Sequence, residues 1–167
     1  NPRMDTVIQA EDCIIAISED DSTIQLSGRT EFEIDPQVIQ GGEIPEPSAE
    51  NILILGWNAR GTIIVRELAA SMTRGSRILV LADTDDAKKQ VKALSKELRG
   101  IKLDWIKGST THRETLEALP FKDYHNIILL SYSGRYDAQQ ADAMTLVSLL
   151  HLRDIKEQSQ YPITITS

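Results

Sequence analysis

Apolar residues fall along this chain in two rhythms, and the change between them lies near residue 50. Beyond it, short continuous apolar runs alternate with stretches in which apolar side chains recur every three or four positions. The run 51–55 ends at Gly56 and reads as a strand buried on both faces, as in a parallel sheet. Ile63, Ile64, Leu68 and Met72 then mark a helix over 62–73, with Gly75 closing it. Residues 77–82 predict a second buried strand, and 86–98 a helix capped by Asp83, Thr84 and Asp85 and stopped at Gly100. A third strand is expected over 102–107, a short helix over 111–119 before Pro120, and a fourth strand over 126–132. A long apolar helix over 138–154 and a fifth strand over 162–166 complete the series. Strand and helix in strict alternation predict an α/β fold, a Rossmann-like doubly wound parallel sheet with right-handed crossovers.

The earlier part reads differently. Residues 6–9, 13–18 and 23–26 have β-type composition, with a polar turn at Glu19, Asp20, Asp21 and Ser22. Residues 1–34 therefore read as a short β-rich arm, the tail of a preceding lobe, and the chain as a fragment of a longer protein. A lone pair of strands is marginal in water, so Val7, Ile8, Ile14, Ile15 and Ile17 are expected to be buried against a neighbour. Residues 35–50, with Pro36, Gly41, Gly42, Pro45 and Pro47, lack either period and read as a linker. Residues 51–167 then form the Rossmann-like lobe, truncated after its fifth strand.

Charge sharpens this division. Of the 167 residues, 18 are basic and 25 acidic, giving a net charge of −7. Residues 1–50 hold twelve acids against Arg3 and Arg29, whereas 51–167 hold thirteen acids against sixteen bases. An acidic arm without a clustered basic face argues against nucleic acid as partner. With 41% hydrophobic residues the chain can bury a core, yet none of its apolar runs approaches the roughly 20 residues of a membrane span. A single cysteine, Cys13, excludes an internal disulfide and any multi-cysteine metal site.

The candidate chemistry lies at the strand ends. Gly56-Trp57-Asn58-Ala59-Arg60-Gly61 stands where a dinucleotide fingerprint would place glycines against a pyrophosphate at a helix N-terminus. Asn58 replaces the middle glycine, where backbone and phosphate come closest, so nucleotide binding is expected to be weak or absent. A tight strand-to-helix turn with no ligand fits the same residues. Asp83 ends the second strand, where an acid commonly holds ribose hydroxyls, though capping the next helix is an equal use for it. Lys107, Gly108, Ser109 and Thr110 are expected to face the same crevice. The acids at Glu19, Asp20, Asp21 and at Asp83, Asp85, Asp86 have the oxygen chemistry of a divalent-cation site without an EF-hand spacing. His112, His125 and His151 fall on separate elements, and no nucleophile elbow is present, so there is no positive sign of an enzyme.

Taken together, the run from Asn51 to Asn58, Asp83 after strand two, Gly108-Ser-Thr after strand three and the helix Asp142-Ala-Met-Thr-Leu-Val-Ser-Leu-Leu-His-Leu-Arg-Asp154 resemble a known family. They look like the nucleotide-binding lobe of regulator-of-potassium-conductance domains, also called TrkA-N domains. The Gly-Trp-Asn turn and the Asp142–Asp154 helix resemble, more narrowly, the Castor and Pollux type of ion channel and its prokaryotic relatives. The arm from Pro2 to Asp21 is similar to the end of the β-rich lobe that closes such a domain.

This resemblance implies a regulatory, non-enzymatic module on the cytoplasmic side of the cell membrane, gating a cation channel. Its partners would be other regulatory lobes of the same channel, in a tetrameric homo-oligomer with paired lobes that meets the membrane only through its pore region. Gly56, Asn58, Gly61 and Asp83 match the family's nucleotide positions, implying NAD or another adenine nucleotide as cofactor, with a divalent cation as the second candidate. Two other readings share the fold: a fragment of an NAD-dependent oxidoreductase, and a soluble nucleotide-binding subunit of a potassium uptake system.

Overall fold

The structure, a computed structural model, describes residues 48–159 and 162–167 throughout, and before them residues 7, 9–13, 15, 17, 24, 28, 29, 33, 35 and 46. The chain divides into two compact units, Asn1–Ile44 and Pro45–Ser167. In the first, the Asp12 N–H donates to the Gln9 carbonyl at 3.1 Å while the Gln9 N–H donates to the Asp12 carboxylate at 2.7 Å, closing a turn. The strands expected over 6–9, 13–18 and 23–26 lie largely outside the described residues, and the acidic turn Glu19-Asp20-Asp21 wholly so. Burial of the arm's apolar residues is corrected where it can be seen. Val7, Ile15 and Ile17 are exposed, while Ile8 and Ile14 lie outside the described residues. A segment of this length has too little chain to enclose its own apolar groups.

The second unit runs β1 (Asn51–Leu55), α1 (Gly61–Ser71), β2 (Arg77–Ala82), α2 (Asp85–Glu97), β3 (Lys102–Lys107) and α3 (Arg113–Glu117). A 3₁₀ turn (Phe121–Asp123), β4 (Asn126–Leu129), α4 (Ala138–Ser159) and β5 (Thr164–Thr166) follow. The five strands form one sheet in the order β3-β2-β1-β4-β5, every neighbouring pair parallel. This is the doubly wound arrangement that the alternation predicts.

Strand side chains alternate between two cores. Ile52, Ile54, Ile78 and Val80 pack with Val65 of α1 and Val91 and Leu94 of α2. Leu53, Leu55, Leu81, Ile127 and Leu129 point the other way, to Leu116 of α3 and Leu152 and Ile155 of α4. Covering on both faces is why β1 is apolar at every position after Asn51.

Several boundaries differ from expectation for local reasons. Glu50 already belongs to this unit: its N–H donates to Ser76 Oγ at 2.8 Å and its carbonyl accepts from the Arg77 N–H at 2.9 Å. β4 stops at Leu129, because β1 ends at Leu55 and leaves no further strand to pair. Beyond it the Leu130 N–H makes one last bond, to the Leu55 carbonyl at 2.8 Å. α4 continues past residue 154 to Ser159, carried by the buried Ile155 and stopped before Pro162. β5 begins only at Thr164, after that proline, which has no N–H for the ladder. Among the described residues no helix is long and apolar enough to cross a membrane.

Candidate functional site

The order of strands reverses between β1 and β4, and at such a switch point the loops leaving the carboxyl ends diverge and open a crevice. Here the crevice measures about 570 Å³, within the range of small-molecule pockets. Trp57, Asn58 and Ala59 line it from the turn after β1, Asp83–Asp86 and Gln90 from the end of β2 and the start of α2, and Ser133–Arg135 from the loop after β4.

Both fingerprint glycines have structural occupations. Gly56 has φ +82°, and a Cβ there would sit 2.5 Å from the Leu130 carbonyl oxygen, so only glycine lets β1 turn out against the end of β4. Gly61 opens α1 beneath the Trp57 indole, whose ring atoms would lie 2.8–2.9 Å from an added Cβ. Trp57 is 7% exposed, and its indole N–H donates to Gln90 Oε1 at 3.0 Å. The indole therefore pins the start of α1 to α2.

Asn58 turns inward on the backbone. Its Oδ1 accepts the Arg60 N–H at 2.9 Å, its own carbonyl accepts the Gly61 N–H at 3.0 Å, and its Nδ2 donates to the Ser131 carbonyl at 2.8 Å. Two of the amides that a pyrophosphate would take at this helix end are already bonded to Asn58, and the same side chain ties the β1 turn to the β4 loop.

Asp83 is not the cap of α2; Thr84 is, its Oγ1 accepting the Ala87 N–H at 3.1 Å. Asp83 instead receives the Arg135 guanidinium, Nη1 to Oδ1 at 2.6 Å, and this bond raises the Arg135 pKa above its ordinary value. Arg135 escaped the sequence reading, since a lone arginine in a Ser-Gly-Arg-Tyr turn carries no motif. The available signal was topological: the loop after β4 must form the third wall of a switch-point crevice. With Asp83, Asp85 and Asp86 against one guanidinium, the lining carries a surplus of negative charge, unfavourable to a polyphosphate.

Lys107 to Thr110 do not line this crevice, contrary to expectation. Thr110 is fully buried, its hydroxyl 2.8 Å from the Tyr132 phenol oxygen. Burial pushes the Tyr132 phenol above the ordinary tyrosine range, and hydrogen bonding with Thr110 acts in the opposite direction. Among the described residues no three histidine, cysteine or acidic side chains converge to hold a metal ion. Asp83, Asp85 and Asp86 share a rim without forming such a group, His112, His125 and His151 remain on separate elements, and Cys13 is an exposed free thiol.

The chain is 28% identical to the ion channel CASTOR of Lotus japonicus, over 93% of this chain and 19% of that protein. It is 29% identical to the probable ion channel POLLUX of Oryza sativa subsp. japonica, over 95% of this chain and 17% of that protein. The chain is a relative of the Castor and Pollux ion channels. It spans less than a fifth of the length of these relatives. No family model matches the sequence. Among solved structures, a dTDP-glucose 4,6-dehydratase from Bacillus anthracis, in complex with NAD, is similar with a TM-score of 0.50. That likeness covers 70% of this chain and 36% of the other at 15% identity, and is one of fold. The Castor and Pollux relatives are named as channels, not enzymes.

Proposed function

We propose that this chain is part of the cytoplasmic regulatory assembly of a cation channel, with Pro45–Ser167 as a Rossmann-like lobe of the regulator-of-potassium-conductance type. On this reading Asn1–Ile44 is the end of a preceding β-rich lobe. The observation that carries the proposal is similarity to ion channels over 93–95% of the chain, a stretch that includes both units.

The lobe acts by docking and by moving. α4 supports the first role: Leu146, Val147 and Leu150 are exposed on one stripe of the helix while Ser148 and Leu152 are buried on the other. Copies of the lobe pair through this stripe, in a homo-oligomer. The crevice supports the second role, because it joins loops from three strands and a ligand there shifts them against one another. Asn58 and Asp83 line its nucleotide side, with Gly56 and Gly61 shaping the turn behind them, and it takes NAD or another adenine nucleotide weakly, since Asn58 and Arg135 already hold the groups that such a ligand would use.

The test is electrical. The complete gene product, reconstituted in planar bilayers, should conduct cations, and Leu150→Lys should change its open probability without changing its single-channel conductance. Absence of any current, or a variant that gates like the unsubstituted channel, would sink the proposal.

A further inference from the structure

The loop that carries Arg135 is clamped along its length. The Ser131 carbonyl is held by Asn58, the Arg135 N–H donates to the Tyr132 carbonyl at 3.2 Å, and Ser133 and Tyr136 form an isolated bridge. Tyr136 meets the buried Tyr132 ring edge-on, centroids 6.1 Å apart. The Arg135 guanidinium lies 5.2 Å from the Tyr136 ring on one side and bonds Asp83 on the other. Such an arrangement holds a cation from the loop after β4 against the carboxylate that follows β2.

The position of that carboxylate gives the contact a meaning. At the end of the second strand of this fold an acid can take two hydroxyls of a vicinal diol, one on each oxygen. Arg135 already sits on Oδ1. The pair is open to solvent, with 41% of the arginine side chain and 26% of the aspartate side chain exposed, and partly solvated ion pairs are readily displaced.

We propose that Arg135 is an internal competitor for the diol-binding carboxylate: while it holds Asp83 the crevice takes nucleosides only weakly, and release of the 133–136 loop frees the carboxylate and strengthens their binding. This rests on the reading of Gly56–Gly61 and Asp83 as a nucleotide crevice and adds a device that regulates it. If Arg135 served instead to hold a phosphate, its removal would leave the binding of a ligand without one unchanged.

The probe is therefore adenosine, titrated calorimetrically into the whole chain and into Arg135→Gln, with Asp83→Asn/Arg135→Gln as control. A cooperative thermal transition in each variant establishes folding. Arg135→Gln should bind adenosine at least tenfold more tightly than the unsubstituted chain, and the double variant should lose that gain. Amide exchange without any ligand should be at least fivefold faster across 133–136 in Arg135→Gln and in Asp83→Asn, with β1 unchanged. Unchanged loop exchange overturns the latch whatever the ligand does. Faster exchange with no tighter adenosine binding, including no binding in either protein, reduces the pair to a brace and overturns the competition. A gain retained in the double variant overturns Asp83 as the contested group. Failure of the channel reading is seen in the bilayer currents and leaves the loop exchange as it is.

Discussion

Ser148 Oγ lies 2.8 Å from Thr110 Oγ1, and both side chains are fully buried. Because Thr110 also meets the Tyr132 phenol at 2.8 Å and Ser148 meets the Met144 carbonyl at 2.9 Å, three hydroxyls form one buried line. It joins α4 to the loop after β3 and to the loop that begins the crevice wall. Removing the middle of such a line strands its neighbours away from water. Thr110→Val should cost about 1–3 kcal/mol. Urea denaturation measures this, and a loss below a few tenths would mean that water replaces the missing hydroxyl.

The same phenol gives a dependence on pH. Burial raises the Tyr132 and Tyr124 pKa values above the ordinary 10.0, so above that pH the unfolded chain loses protons that the folded chain keeps. Stability is then fully present below about pH 10 and falls as pH rises through the folded values. Denaturation midpoints between pH 8 and 11 should show the decline, and Tyr132→Phe should flatten it relative to its own value at neutral pH.

The two glycines of the turn between β1 and α1 should respond unequally to alanine. At Gly61 the added Cβ meets the face of the Trp57 ring, a side chain that must be displaced from its bond to Gln90; a cost of about 1–3 kcal/mol is expected, with a change in Trp57 fluorescence. At Gly56 it meets backbone, the Leu130 carbonyl, and the positive φ adds strain. Gly56→Ala should therefore be the more damaging of the two in thermal denaturation, and the reverse order would contradict the assignment of the obstacles.

Leu146 and Leu150 are 57% and 56% exposed, so lysine at either position should leave folding stability within about 0.5 kcal/mol. If copies pair through α4, Leu146→Lys/Leu150→Lys should move the sedimentation profile toward monomer at every concentration. An unsubstituted chain that is monomeric throughout would remove α4 as the docking face.

Truncation at Pro45 tests the division of the chain. The 45–167 segment contains both cores and should unfold in one cooperative transition. A molten 45–167 segment would show that the two units depend on each other for folding.

Sequence carried the sheet well, because strands covered on both faces must be apolar throughout and the glycines and prolines between elements punctuate them. β1, β2 and β3 have the bounds expected of them, and β1 and β2 are apolar at every position after the first, whereas β3, at the sheet edge, carries Lys102, Asp104 and Lys107. It carried β4 and β5 less well: Leu130 and Tyr132 are apolar for packing beyond the last ladder bond, and periodicity does not distinguish a buried loop from a buried strand. At the crevice the residue types were legible and their partners were not. Nothing local tells Asp83 to choose Arg135, 52 positions away, over the helix beside it, and that choice follows only from Thr84 taking the cap. The buried line through Thr110, Tyr132 and Ser148 likewise joins residues that share no motif and meet only because the loops converge.

The register of β1 also bears on how the chain is born. Its partner on one edge, β2, begins at Arg77, but the other edge waits for β4, whose Asn126 pairs with Ile52. A ribosome takes about 2–9 s to add the residues between the end of β2 and Asn126. During that interval the most apolar strand of the protein stands at the margin of a growing sheet with one row of amides and carbonyls unpaired. With no hairpin anywhere in the sheet to nucleate it locally, this lobe depends on long-range closure, and on whatever shields nascent edges in the cell, to reach its final order of strands.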